Sequence, residues 1–214
     1  MTAWYGSSRV EHDSFVEPAV NRLVLLTGQS IPSNTALSPE QIAFLRAVAP
    51  PEVEILAHGF PFLRSREAAL YREPRLLAAS LHNAHQYVAA RLVPRFRNEI
   101  VTRLNELFSR TSATLFVITG SCGLHFMNIS WPRLIRGVRF FLVALGPVSL
   151  GHQTVPKDLL VTVRGTKDAW SAALFRGPID YHVPGGHLDY WTCAATISLV
   201  RSQLAAAFAD LRRQ

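Results

Sequence analysis

Three near-continuous apolar runs constrain this chain most: ATLFVI at 113–118, VRFFLVAL at 138–145 and LLVTV at 159–163. None alternates apolar with polar residues, so none reads as a strand with one wet face. Strands buried on both faces belong to a parallel sheet covered by helices on each side. Two further candidates lie earlier, RLVLL from Arg22 and VEIL at 53–56, and a sixth, IDYHV at 179–183, lies later. Between the first two, PEQIAFLRAVA has helical spacing after the cap candidate Ser38. The stretch from about Glu67 to Arg110 carries helical patterns broken near Pro74 and Pro94. In the last of them Phe96, Ile100, Leu104, Leu107 and Phe108 recur at helical spacing. A final helix is expected from about Thr192 to Arg212. The expected fold class is α/β, a mainly parallel sheet of about six strands with helices on both faces. It forms one domain over residues 1–214, with a helical segment at about 67–110 between strands.

Composition narrows the function classes. Of 214 residues, 49% are hydrophobic and 17% charged, which excludes a disordered chain. No run approaches the roughly 18 apolar residues of a membrane span, and the first residues lack a secretory pattern, so the expected location is cytoplasmic. The two cysteines, Cys122 and Cys193, suit neither a disulfide framework nor a cysteine metal site. His82 and His85 are spaced i, i+3 without an accompanying carboxylate or cysteine cluster, so no metal and no cofactor is expected. The net charge of +7 is almost wholly arginine, Lys157 and Lys167 being the only lysines. No recognised nucleic-acid motif accompanies that charge, and a nucleic-acid partner is not expected.

The stretch Ile118, Thr119, Gly120, Ser121, Cys122, Gly123, Leu124, His125 joins a strong strand to a helix through a tight turn holding two glycines. Downstream, Arg164, Gly165, Thr166, Lys167, Asp168 follows one strand, and Pro184, Gly185, Gly186, His187 follows the next. Together these resemble the α/β-hydrolase family: a nucleophile elbow, then an acid on a turn past a strand, then a histidine in a glycine-bearing loop, in the chain order Ser, Asp, His. The likeness spans about Arg22 to Leu211. Thr119 departs from the usual first glycine of G-x-S-x-G.

The resemblance implies that Ser121 attacks, His187 moves its proton and Asp168 fixes the imidazole tautomer. Cys122 is the alternative nucleophile. It would place Leu124 where helix and strand approach closely, a steric objection that favours Ser121. Asp189 is the alternative acid, and Asp168 also reads as a cap for the helix that follows it. The oxyanion donors implied are the amide of Cys122 and one from Gly28 or Gln29, in the loop after the first strand. Phe60, Phe62 and His125 are candidates for substrate contact, and metal-ion catalysis is not expected.

Only about 13 residues, 146–158, separate two of the strands where many relatives insert a lid. The site is expected to be shallow unless the helices at about 67–110 cover it, and the arginines at 64, 66, 72, 75, 91, 95, 97, 103 and 110 that crowd the same region suit an acyl group presented by an acidic carrier protein or by coenzyme A. The expected activity is ester or thioester hydrolysis. The alternatives are an acyltransferase using Ser121 or Cys122, and a catalytically silent binding protein of the same fold.

Overall fold

The computed structural model describes residues 16–30, 36–60, 71–73, 76–135 and 137–213. Its sheet has six strands: β1 (Ala19–Leu26), β2 (Glu54–Phe60), β3 (Thr111–Gly120), β4 (Arg139–Leu145), β5 (Leu160–Gly165) and β6 (Tyr181–Val183). Their order across the sheet is β2-β1-β3-β4-β5-β6, and every neighbouring pair is parallel. Six helices connect or flank them: α1 (Pro39–Val48), α2 (Leu76–Leu92), α3 (Pro94–Ser109), α4 (Gly123–Ser130), α5 (Ala169–Leu174) and α6 (Ala194–Arg213).

The period-2 geometry of a strand divides the apolar runs between two cores. On β3, Leu115 and Val117 face one side while Phe116 and Ile118 face the other, and β1 and β4 divide in the same way. The first core is closed by Phe96, Ile100, Leu104 and Phe108 of α3 and by Phe126 and Met127 of α4. The second is closed by Phe44 and Leu45 of α1 and by Val200, Leu204 and Phe208 of α6. Neither face of the central strands meets water, so their apolar residues are continuous rather than alternating.

Local signals set the helix ends. Ser38 caps α1 in a reciprocal box with Gln41, the Ser38 Oγ accepting the Gln41 N–H at 3.2 Å and Gln41 Oε1 accepting the Ser38 N–H at 2.9 Å. Pro94 occupies the first turn of α3, where its missing N–H costs nothing, and this separates α3 from α2. The last strand is shorter than the apolar pattern suggests. Asp180 lies outside it, with its carboxylate bonded to the Thr162 N–H and hydroxyl and to Lys157. No helix among the described residues is long and apolar enough to cross a membrane.

Candidate active site

All strands being parallel, their C-terminal ends lie on one edge of the sheet, where a doubly covered sheet places its ligands. Ser121 follows β3, Asp168 follows β5 and His187 follows β6. Ser121 has φ +51°, a left-handed conformation that non-glycine residues rarely adopt. The turn is pinned at both ends of that residue. The Ser121 N–H donates to Leu145 O at 3.2 Å, and Ser121 O accepts the Val148 N–H at 2.9 Å. Gly123 is required by contact: a Cβ there would lie 2.0 Å from Leu26 O, because the start of α4 rests directly on the end of β1.

This turn brings three of the sequence-derived residues together. His187 Nε2 is 3.1 Å from Ser121 Oγ, and His187 Nδ1 is 3.0 and 2.9 Å from the two Asp168 carboxylate oxygens. The Asp168 side chain is fully buried while that of His187 is 19% exposed. Burial by itself raises the Asp168 pKa. Hydrogen bonds from His187, the Ser171 N–H and the Tyr190 hydroxyl outweigh it and hold the carboxyl below its ordinary value. Asp168 therefore stays ionised beside the imidazole. It also caps α5, with Oδ1 accepting the Ser171 N–H at 2.9 Å, so the helix-capping role and the histidine contact coexist.

Tyr190 is a site residue that sequence reasoning did not single out. Its hydroxyl donates to Asp168 Oδ2 at 2.6 Å and accepts the Gly165 N–H at 2.7 Å, which ties the carboxylate to the end of β5. Gly146, at φ +52°, leaves room for both: a Cβ there would lie 2.6 Å from Asp168 Oδ2 and from the Tyr190 ring. The sole sequence signal was an aromatic residue three positions past His187.

The alternatives fall elsewhere. Cys122 is 2% exposed, and burial pushes its thiol up to about 12, far from the thiolate that a nucleophile needs. Its Sγ points to Gly28, 2.8 Å from where a Cβ on that glycine would stand, while its backbone amide heads α4 beside Ser121. Asp189 turns its carboxylate to the Gly186 N–H at 2.7 Å and so braces the histidine loop from outside. Of the two oxyanion candidates on the β1 loop, the Gln29 N–H is occupied, donating to Gln86 Oε1 at 2.8 Å, and the Gly28 backbone faces the Cys122 thiol.

Phe62 lies outside the described residues. Phe60 ends β2, and its side chain also lies outside them. Among the described residues no group of three or more His, Cys, Asp or Glu side chains is arranged to hold a metal. His82 and His85 stack on one another, their ring centroids 6.4 Å apart.

His125 is 4% exposed, with its ring 4.3 Å from that of Tyr87. Burial, reinforced by the Arg91 charge, lowers its pKa to about 4. An unfolded imidazole titrates near ~6.5, so between roughly pH 6.5 and pH 4 the unfolded chain binds a proton that the folded chain does not. His125 should therefore remove stability as the pH falls through that window. His125→Phe is expected to lose less stability between pH 7 and pH 5 than the wild type, by on the order of 1–2 kcal/mol. Denaturant midpoints at the two pH values measure this difference, and equal losses would show that His125 can take up its proton without unfolding.

No family model and no curated protein sequence matches the chain. Solved structures do. An esterase, PE8, superposes with a TM-score of 0.51 at 16% identity, over 89% of this chain and 94% of that one. A dienelactone hydrolase from Anabaena variabilis gives 0.52 at 12% identity, over 91% of this chain and 88% of that one. A dienelactone hydrolase-like promiscuous phosphotriesterase from metagenomic libraries gives 0.55 at 10% identity, over 91% and 87%. At these identities the likeness is one of fold.

Proposed function

We propose that this chain, whose fold is α/β-hydrolase-like, is a serine hydrolase that cleaves an acyl ester or thioester. The observation that carries the reading is the 3.1 Å approach of His187 Nε2 to Ser121 Oγ, with Asp168 on the far side of the same ring. A serine hydroxyl is a weak nucleophile until a neighbouring base takes its proton, and a neutral imidazole does so only if its other nitrogen carries the hydrogen. The ionised Asp168 accepts that hydrogen.

The reaction then runs in two halves. Ser121 Oγ bonds to the acyl carbon as its proton passes to His187 Nε2, and the carbonyl oxygen takes up the negative charge beside the Cys122 N–H. The C–O or C–S bond breaks as His187 returns the proton to the leaving alcohol or thiol. Water, deprotonated by His187, next attacks the acyl-serine and releases the acid, which restores Ser121. The same leaving-group chemistry serves an acyl group carried by coenzyme A or by an acidic carrier protein. Exposed Arg91 and Arg95, at the junction of α2 and α3, support such docking through their charge.

Purified protein is expected to release p-nitrophenol from p-nitrophenyl acetate and free thiol from a short acyl-CoA, both saturably and above the buffer rate. Absence of turnover with either substrate would count against hydrolysis and for a binding protein of the same fold.

A further inference from the structure

The β1 loop carries the second candidate oxyanion donor. A hold on it comes from Gln86 of α2, 57 residues away in sequence. Gln86, 1% exposed, bonds to Gln29 on both sides of its Cα: Oε1 accepts the Gln29 N–H, of the 28–29 peptide, at 2.8 Å, and Nε2 donates to Gln29 O, of the 29–30 peptide, at 3.2 Å. One turn earlier on the same face, Asn83 presses on Gly28, its Oδ1 standing 2.5 Å from where a Cβ would be, while Cys122 closes the other side at 2.8 Å. The loop is thus wedged between α2 and the elbow helix α4, with the two peptides that flank the Gln29 Cα bonded to the same carboxamide.

From this we propose that Gln86 is the positioning residue for the loop-side oxyanion donor, an inference that rests on the serine-hydrolase reading above. A backbone N–H stabilises developing charge only if it is already held in place when the charge appears. In the resting site the Gln86 carbonyl satisfies the Gln29 N–H, so the donor is neither orphaned nor free to turn away. The developing oxyanion is a charged acceptor, roughly twice as strong as a neutral one, and draws the N–H from Oε1. Throughout, the Nε2 contact to Gln29 O, on the following peptide, anchors the Gln29 Cα as a pivot. Gln86 itself touches no reacting atom.

Two variants test this with p-nitrophenyl acetate as substrate and phenylboronic acid as a tetrahedral transition-state mimic. Gln86→Leu keeps most of the side-chain volume and loses both bonds, whereas Gln86→Glu keeps an acceptor for the N–H and loses the pivot donor. Both should lower kcat by about 10- to 100-fold, somewhat less than outright removal of a donor, with KM within about threefold. Affinity for the boronic acid should fall in proportion to kcat. A merely structural role would lower the melting temperature without that proportional loss. Unchanged kcat in folded Gln86→Glu overturns the inference, even if Gln86→Leu fails to fold. A raised kcat overturns it too, because Gln86 would then be a plug on the donor rather than its support. If the wild type is inert to ester and boronic acid alike, the hydrolase reading fails and this inference falls with it. An active wild type with unaffected variants removes only the role of Gln86.

Discussion

Replacing Ser121 by alanine is expected to abolish ester turnover, a loss on the order of 10⁴-fold or more, with the fold unchanged. Among the described residues the Ser121 hydroxyl is the nucleophilic group bonded to His187 Nε2, at 3.1 Å. Alanine meets the same backbone demand as serine at φ +51°, so the turn carries no new strain. The N–H to Leu145 O and the carbonyl to Val148 N–H are backbone contacts and survive the change. Cys122→Ala is the paired control. Its thiol is buried against Gly28, and the amide it offers is unaffected by loss of the side chain, so most activity should remain. Matching circular dichroism and melting curves, with activity lost in Ser121→Ala alone, is the expected pattern.

Asp168→Asn is expected to lower kcat by roughly 10⁴-fold while the protein still folds. The carboxylate accepts from three directions at once: His187 Nδ1, the Ser171 N–H at 2.9 Å and the Tyr190 hydroxyl at 2.6 Å. A carboxamide retains one oxygen, which can keep the α5 cap. Its nitrogen must then face the imidazole as a donor, which forces the hydrogen onto Nε2 and deprives Ser121 of its base. Asp189→Asn should have little effect on turnover, since Asp189 bonds to the Gly186 N–H instead of the ring. Steady-state kinetics on the two variants distinguish the acids, and the reverse pattern would transfer the role to Asp189.

The sheet was legible because its strands are buried on both faces. Uninterrupted apolar runs at β3, β4 and β5 identified a parallel sheet before any contact was known, and the division of Leu115 and Val117 from Phe116 and Ile118 shows why neither set is polar. Strand ends were less legible where pairing overrides composition. β1 begins at Ala19, although Val20 is 62% exposed, because the β3 partner reaches back to Thr111. β6 shortens because Asp180 spends its carboxylate on Thr162 and Lys157.

For the site, the order Ser, Asp, His and the glycines around each residue could be read along the chain, since each sits just past a strand. The choice between Ser121 and Cys122 rested on a steric argument. In the structure it is the backbone angle at 121 and the burial of the 122 thiol that separate them. Tyr190 and Gln86 were not legible. Each acts through hydrogen bonds to residues between 22 and 57 positions away, and neither periodicity nor a local motif marks such contacts.

The central claim is that the Ser121 hydroxyl is the activated nucleophile, and a fluorophosphonate probe tests it without any knowledge of the substrate. Such a probe phosphonylates an activated serine, with fluoride leaving and the proton passing to the base. Peptide mass mapping should find one adduct, on Ser121, formed quickly in the wild type and Cys122→Ala proteins and absent from Ser121→Ala. An adduct on another residue, or none in folded wild-type protein, would contradict the account.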